Sequence, residues 1–224
     1  MVLHKSRQTT SDTVYEYIKK RIIELEYEPD EHLVEESLTA QLGVSRTPLR
    51  QALYRLELEG LLVKKSNGRI YVAPISIKEA KEIFRVREVL EGLTAREATL
   101  NTKDELVFQR LEDTLYLMRN AAENNRQIDV VHYGSEFHQQ LQQQSDNVTA
   151  AILLDQIMAR ISRYRRLGAY RDPNYSSLLP VQEHEEILGY MKRQDVDMAE
   201  KAMRSHIKRS YESTVAALKV ILDS

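Results

Sequence analysis

The chain has 224 residues, of which 29% are Asp, Glu, Lys or Arg and 42% are apolar; this balance admits one large or two modest globular domains and excludes a disordered chain. There is no cysteine, so neither a disulfide framework nor a thiolate metal site is available, and metal ligands must be sought among His, Asp and Glu. No apolar run reaches the ~20 residues of a membrane span, and Met1 to Thr10 lacks the apolar core of a signal peptide, so we expect a soluble cytoplasmic protein with no membrane contact.

A formal net charge of −2 argues against a nucleic-acid partner, but its distribution argues for one. The charges from Glu24 to Glu36 are all acidic. From Arg46 to Arg69 the basic residues Arg46, Arg50, Arg55, Lys64, Lys65 and Arg69 outweigh Glu57 and Glu59.

In chain order, Val14, Ile18 and Ile22 give one face of a helix over residues 11 to 26, stopped by Glu28-Pro29-Asp30. Leu38 and Leu42 share a face of a short second helix, which Gly43 can end in the left-handed conformation. Ser45 can cap a third helix, and Pro48 is tolerated in its first turn. Leu49, Leu53 and Leu56 then recur at helical spacing until Glu59-Gly60, leaving Arg46, Thr47, Arg50 and Arg55 on the first turns and the outer face, as a recognition helix presents itself to a major groove. Leu61-Leu62-Val63 and Ile70-Tyr71-Val72 read as strands joined through Ser66-Asn67-Gly68-Arg69, with Asn-Gly as the hairpin signal. Taken alone this is a surface hairpin; after a recognition helix it is a wing, whose tip offers the Gly68 amide and the Arg69 guanidinium to phosphate or the minor groove.

The run Leu42-Gly43-Val44-Ser45-Arg46-Thr47-Pro48-Leu49-Arg50, with Ala52-Leu53, Arg55-Leu56 and Glu59-Gly60-Leu61, resembles the winged-helix signature of the GntR family of bacterial transcription regulators. The resemblance implies double-stranded DNA as partner, contacted by Ser45, Arg46, Thr47 and Arg50 and by Asn67, Gly68 and Arg69 of the wing. It also implies a homodimer on a palindromic operator, with repression the commoner mode in the family.

Ala73-Pro74-Ile75 is a brief linker, dividing the chain into a DNA-binding domain over residues 1–74 and an all-α domain over 75–224. Ser76-Ile77-Lys78-Glu79 reads as a capping box, and the helix it opens is striped by Ile83, Val86, Leu90 and Leu93. Thr102-Lys103-Asp104-Glu105 caps the next, striped by Leu111, Leu115, Met118 and Ala122. Four more helices follow at roughly 129–144, 148–170, 177–193 and 196–222, separated by Ser145-Asp146-Asn147, Asp172-Pro173-Asn174 and Gln194-Asp195. The fold class is therefore mainly α: a winged helix-turn-helix with a small β wing, then an antiparallel helical bundle.

His184 lies on the stripe Val181, His184, Leu188, Met191; His206 lies close to Ala199, Ala202 and Met203; His138 borders Phe137 and Leu141. All three face inward, which suits satisfied core residues as well as metal ligands. His4, His32 and His132 are expected at the surface. Arg87-Glu88-Val89-Leu90-Glu91, Phe137-His138-Gln139-Gln140-Leu141 with Asn147, Glu183-His184-Glu185-Glu186-Ile187 and Met203-Arg204-Ser205-His206-Ile207 resemble the effector-binding domain of the FadR subfamily, of FCD type in its six-helix, VanR-like form. That resemblance implies that His138, His184 and His206 hold a divalent metal, zinc or nickel. Members with the metal usually carry Asp or Asn one turn before the first His; here that position is Gly134, so a ligand is missing, which fits room for a bound molecule and equally a weaker metal site or none.

The expected effector is a small anionic metabolite, a carboxylate, seated beside the imidazoles at Gly134 with Arg87 and Arg163 as candidate clamps. The alternatives are an ion pair with a bundle Glu for Arg87 and a solvated face for Arg163. Three His with open coordination would also describe a metal-dependent hydrolase or a non-catalytic metal sensor, but a winged helix has no part in catalysis and no nucleophile–base pair stands out. A purely structural adaptor would leave Arg46 and Arg50 unexplained.

Overall fold

Thr9 opens the first helix, α1 (Thr10–Ile23), with a reciprocal capping box: the Asp12 N–H donates to Thr9 Oγ1 and the Thr9 N–H to Asp12 Oδ2, each at 3.1 Å. The coordinates are a computed structural model and describe residues 9–172 and 175–223. The readings of His4 and of a turn at Pro173-Asn174 lie outside them. The predicted run to residue 26 overshoots α1, because Leu25 adopts φ +60° and the amides of Glu26 and Tyr27 both fold back onto the Arg21 carbonyl.

Contacts divide the chain into two units, Met1–Ile75 and Ser76–Ser224. In the first, α2 (Glu35–Leu42) ends at Gly43 with φ +64°, and α3 (Arg46–Leu58) follows after two residues. Ile18 and Ile22 of α1 and Leu49, Leu53 and Leu56 of α3 are at most 1% exposed; burying each such side chain contributes about 1.5–3 kcal/mol, and this packing sets the angle at which α3 is displayed. Three short strands, β1 (His32–Leu33), β2 (Leu62–Lys64) and β3 (Ile70–Val72), form an antiparallel sheet in the order β1-β3-β2. The β2–β3 hairpin is the predicted wing, in register Leu62↔Val72 and Lys64↔Ile70. β1, which pairs His32 with Tyr71, has two residues and no periodicity to announce it.

The second unit holds six helices among the described residues: α4 (Ile77–Asn101), α5 (Glu105–Glu123), α6 (Gln127–Gln144), α7 (Val148–Arg171), α8 (Leu178–Lys192) and α9 (Val196–Leu222). α4 packs chiefly along α9, α5 along α6 and α8, and α7 against α9, α6 and α4. Ser76 caps α4 as expected, its Oγ accepting the Glu79 N–H. For α5 the capping residue is Asp104, which accepts from Leu106 N, while Thr102 terminates α4. Among the described residues no helix is long and apolar enough to cross a membrane.

The stripe of α4 is rotated from the predicted one. Ile83, Phe84, Arg87, Glu91, Thr94 and Ala98 are buried, whereas Val86 and Val89 are 50% and 53% exposed. Apolar periodicity mis-set the phase because the inner face carries a charged pair, Arg87 donating through Nε to Glu91 Oε1 at 2.6 Å.

Candidate functional sites

On α3 the outward residues take different duties. Arg46 and Thr47 are exposed at the first turn. Ser45 occupies the N-cap position without a side-chain cap bond, so its hydroxyl stays available. Arg50 is exposed but donates to Glu35 Oε2 of α2 at 2.9 Å. Arg55, expected on the outer face with them, belongs to the scaffold: it pairs with Asp12 at 2.7 Å and lies over the Tyr15 ring at 3.9 Å, fastening α3 to α1.

The wing tip corrects one expectation. Gly68, at φ +79°, donates its amide to the Lys65 carbonyl at 2.8 Å, and Arg69 N donates to Asn67 Oδ1 at 3.0 Å. Both amides close the turn and are not offered outward. What the tip presents is side chains, the exposed Lys64, Asn67 and Arg69, while the Lys65 ammonium sits 3.9 Å from the Tyr71 ring centroid.

In the second unit α6, α8 and α9 bring His138, His184 and His206 to one point, where each is at most 5% exposed. The Nε2 of His138 lies 3.2 Å from that of His184 and 3.3 Å from that of His206. Each Nδ1 faces an acceptor: the Glu91 carboxylate for His138, the Pro180 carbonyl for His184, and Glu183 Oε2 at 2.7 Å for His206. These acceptors assign the proton to Nδ1, so three Nε2 lone pairs converge. Burial pushes all three imidazoles below the usual histidine range, and for His184 and His206 neighbouring imidazoles add to the fall. Burial alone would raise the Glu91 carboxyl, but Arg87 and His138 overcome it and hold Glu91 ionised. Converging neutral imidazoles anchored from behind suit a divalent cation; without one their lone pairs repel, so the donor set fits the implied metal.

The residues predicted around the imidazoles are distributed differently. Arg87 reaches the centre indirectly, through Glu91 and His138, as the ion pair that was its alternative. The room expected at Gly134 is filled: a Cβ there would lie 3.0 Å from Arg165 Nη2 and 3.3 Å from Met118 Cε. Arg163 is 3% exposed, so it does not sit on a solvated face. It does not line the cavity beside His206 either. The arginine of α7 at the centre is Arg165, missed by sequence reasoning. Two residues apart on a helix point about 200° apart, and pattern did not fix which arginine of α7 faced the histidines. Arg165, Tyr175, Arg209 and Ser213 line, with His206, a small cavity of about 30 Å³. His32 and His132 are exposed, as expected.

A winged helix joined to a helical domain with a buried histidine centre and an adjoining cavity defines a DNA-binding regulator with a ligand-binding module. Residues 10–72 match the bacterial regulatory proteins of the gntR family, and residues 82–209 match the FCD domain. The chain belongs to the GntR family and carries an FCD effector domain; it is a transcriptional regulator, not an enzyme. It is 26% identical over 206 residues to the HTH-type transcriptional repressor RspR of Escherichia coli K12, covering 92% of this chain and 89% of that one. Its fold is similar to that of E. coli McbR/YncC, at TM-score 0.79 and 19% identity over 92% of this chain and 97% of that one. A GntR-type regulator from Rhodococcus sp. RHA1 aligns over 92% and 97% of the two chains, at TM-score 0.73 and 18% identity.

Proposed function

We propose that this chain is a cytoplasmic repressor that binds a palindromic operator as a homodimer and is released or tightened by a small carboxylate in a metal-bearing bundle. Residues 1–74 read DNA through Ser45, Arg46, Thr47 and Arg50 and through the wing side chains Asn67 and Arg69, which Gly68 positions by closing the turn. In this reading Arg46 contacts a base edge, because it is exposed at the first turn of α3 and makes no ion pair among the described residues. Residues 75–224 bind the ligand and pair the protomers. The exposed Val86 and Val89 on α4 support that pairing, since they are apolar side chains left about half exposed on the surface of the helical unit. The repressor sense is supported by the name of the relative RspR.

The observation that carries the ligand-responsive part is the convergence of three Nε2 atoms, each imidazole held from behind by an acceptor. His138, His184 and His206 would hold zinc or nickel, which when bound supplies a Lewis-acidic point for a ligand oxygen. Arg87 and Glu91 fix the orientation of His138, and Glu183 fixes that of His206. Gel-shift titration with the promoter region of the protein's own gene neighbourhood tests the whole. Sequence-selective binding that a small carboxylate with zinc alters is expected; absence of selective binding at any salt concentration would refute it.

A further inference from the structure

Between α4 and α9 a groove of about 190 Å³ opens at the surface of the bundle, lined by neither the three histidines nor Arg165. Lys81, Phe84, Arg85 and Glu88 stand at i, i+3, i+4 and i+7, so α4 presents them along one face. Across from them α9 brings Ile207, Lys208 and Tyr211. The floor is apolar. Phe84 and Ile207 are 3% and 0% exposed, and the half-buried Tyr211 ring packs on Phe84 with centroids 5.9 Å apart.

The rim carries more positive charge than it neutralises. Its one carboxylate, Glu88, is shared by Lys208 at 3.5 Å and Arg204 at 4.0 Å. Lys81 and Arg85 are exposed and make no ion pair among the described residues. Standing one turn apart on the same face, they repel each other, and a bound anion relieves that repulsion. Two unpaired cations match the charge of a phosphate monoester, about −1.5 to −2 at neutral pH, better than the single charge of a carboxylate. Arg85 supplies a planar fork for two of its oxygens and Lys81 a point charge for a third. A bare cationic rim would take inorganic phosphate as readily, but the floor of two rings and an isoleucine favours an anion that carries an apolar body.

We propose that the groove between α4 and α9 is a ligand site for a small organic phosphate monoester, its head held by Lys81 and Arg85 and a ring-sized body laid on Phe84, Ile207 and Tyr211. The site needs neither the metal nor the operator reading above.

The test is calorimetric titration of phenyl phosphate into the chelator-stripped, untagged full-length protein, beside inorganic phosphate and benzoate, for the wild type, Lys81→Gln, Arg85→Gln and Arg165→Gln. Phenyl phosphate should bind one site per chain about tenfold more tightly than inorganic phosphate, which lacks the ring, and about tenfold more tightly than benzoate, which lacks the second charge. Lys81→Gln and Arg85→Gln should each weaken it about tenfold, whereas Arg165→Gln should leave it within about twofold. Inorganic phosphate binding as tightly as phenyl phosphate would overturn the proposal and leave an unselective cationic patch. Benzoate binding as tightly would overturn the match to a dianion. Phenyl phosphate that is lost in Arg165→Gln but kept in Arg85→Gln would place it elsewhere in the bundle, and no saturable binding at millimolar concentration would remove the site. Circular dichroism of each variant confirms that it is folded.

Discussion

The Tyr164 hydroxyl on α7 accepts the backbone N–H of Ser76 at 3.1 Å and donates to Glu79 Oε2 at 2.8 Å. Ser76 is the first residue of the helical unit, so the point where the chain enters the bundle is tied to the helix that carries Arg165 in the next position. The same hydroxyl closes the α4 capping arrangement from outside, standing between the Ser76 amide and the Glu79 carboxylate that would otherwise meet. Tyr164→Phe removes these bonds and little volume. It should lower bundle stability by about 1–2 kcal/mol in urea denaturation followed by helical circular dichroism. An effector should also shift DNA affinity by a smaller factor in this variant than in the wild type, which parallel operator titrations will show.

Arg46→Ala and Arg55→Ala should separate reading from scaffolding. The first should weaken operator binding by about 1–3 kcal/mol and relax base preference at one position per half-site. The second should lower the melting temperature, through the lost contacts with Asp12 and Tyr15, and leave base preference intact. Fluorescence anisotropy on a set of single-base operator variants, beside thermal melts, distinguishes them. Equal base selectivity in Arg46→Ala and wild type would remove Arg46 from the reading surface.

Elemental analysis of untagged protein should find about one zinc or nickel per chain, and replacing His138, His184 and His206 together by Ala should abolish it. Restoring zinc to chelated protein at a hundredfold excess over the dissociation constant should stabilise the fold by about 2.7 kcal/mol, visible as a rise in melting temperature.

Val89→Glu places a charge on an exposed apolar position of α4. It should convert a dimer into a monomer in analytical ultracentrifugation at micromolar concentration, with little effect on the monomer's fold. The monomer should lose tight binding to the palindrome while keeping weak binding to a half-site. A Val89→Glu variant that sediments as the dimer would exclude this face.

Where side-chain type and backbone geometry agree, the sequence was readable. Asn67-Gly68 marked the hairpin, Gly43 the turn and Leu49, Leu53 and Leu56 the buried face of α3, because each has one physically favoured solution. The three histidines could be placed inward from their apolar neighbours. What stayed hidden were polar groups on buried faces. Apolar phasing put Val86 inside α4, yet the interior takes Arg87 and Glu91, whose mutual neutralisation no hydropathy pattern encodes. In α7, Arg163, Arg165 and Arg166 follow one another closely, and which of them meets the centre depends on the space left by Gly134 on another helix. Such dependence is tertiary and leaves no local signature.

The pairing of Arg50 with Glu35 has an ionic consequence. A free surface arginine that meets a DNA phosphate releases a condensed cation to solution, steepening the fall of log affinity with log salt by about 0.9 per contact on duplex DNA. Arg50 is paired with Glu35 at 2.9 Å, so under the proposed function a phosphate contact by Arg50 would exchange one anion for another and add little to that slope. Glu35→Gln should therefore bind DNA more tightly at low salt yet lose affinity faster as salt rises, with the slope steeper by about one unit. On that reading the acidic residue on α2 would act as a built-in counter-ion, making operator occupancy less sensitive to the ionic state of the solution.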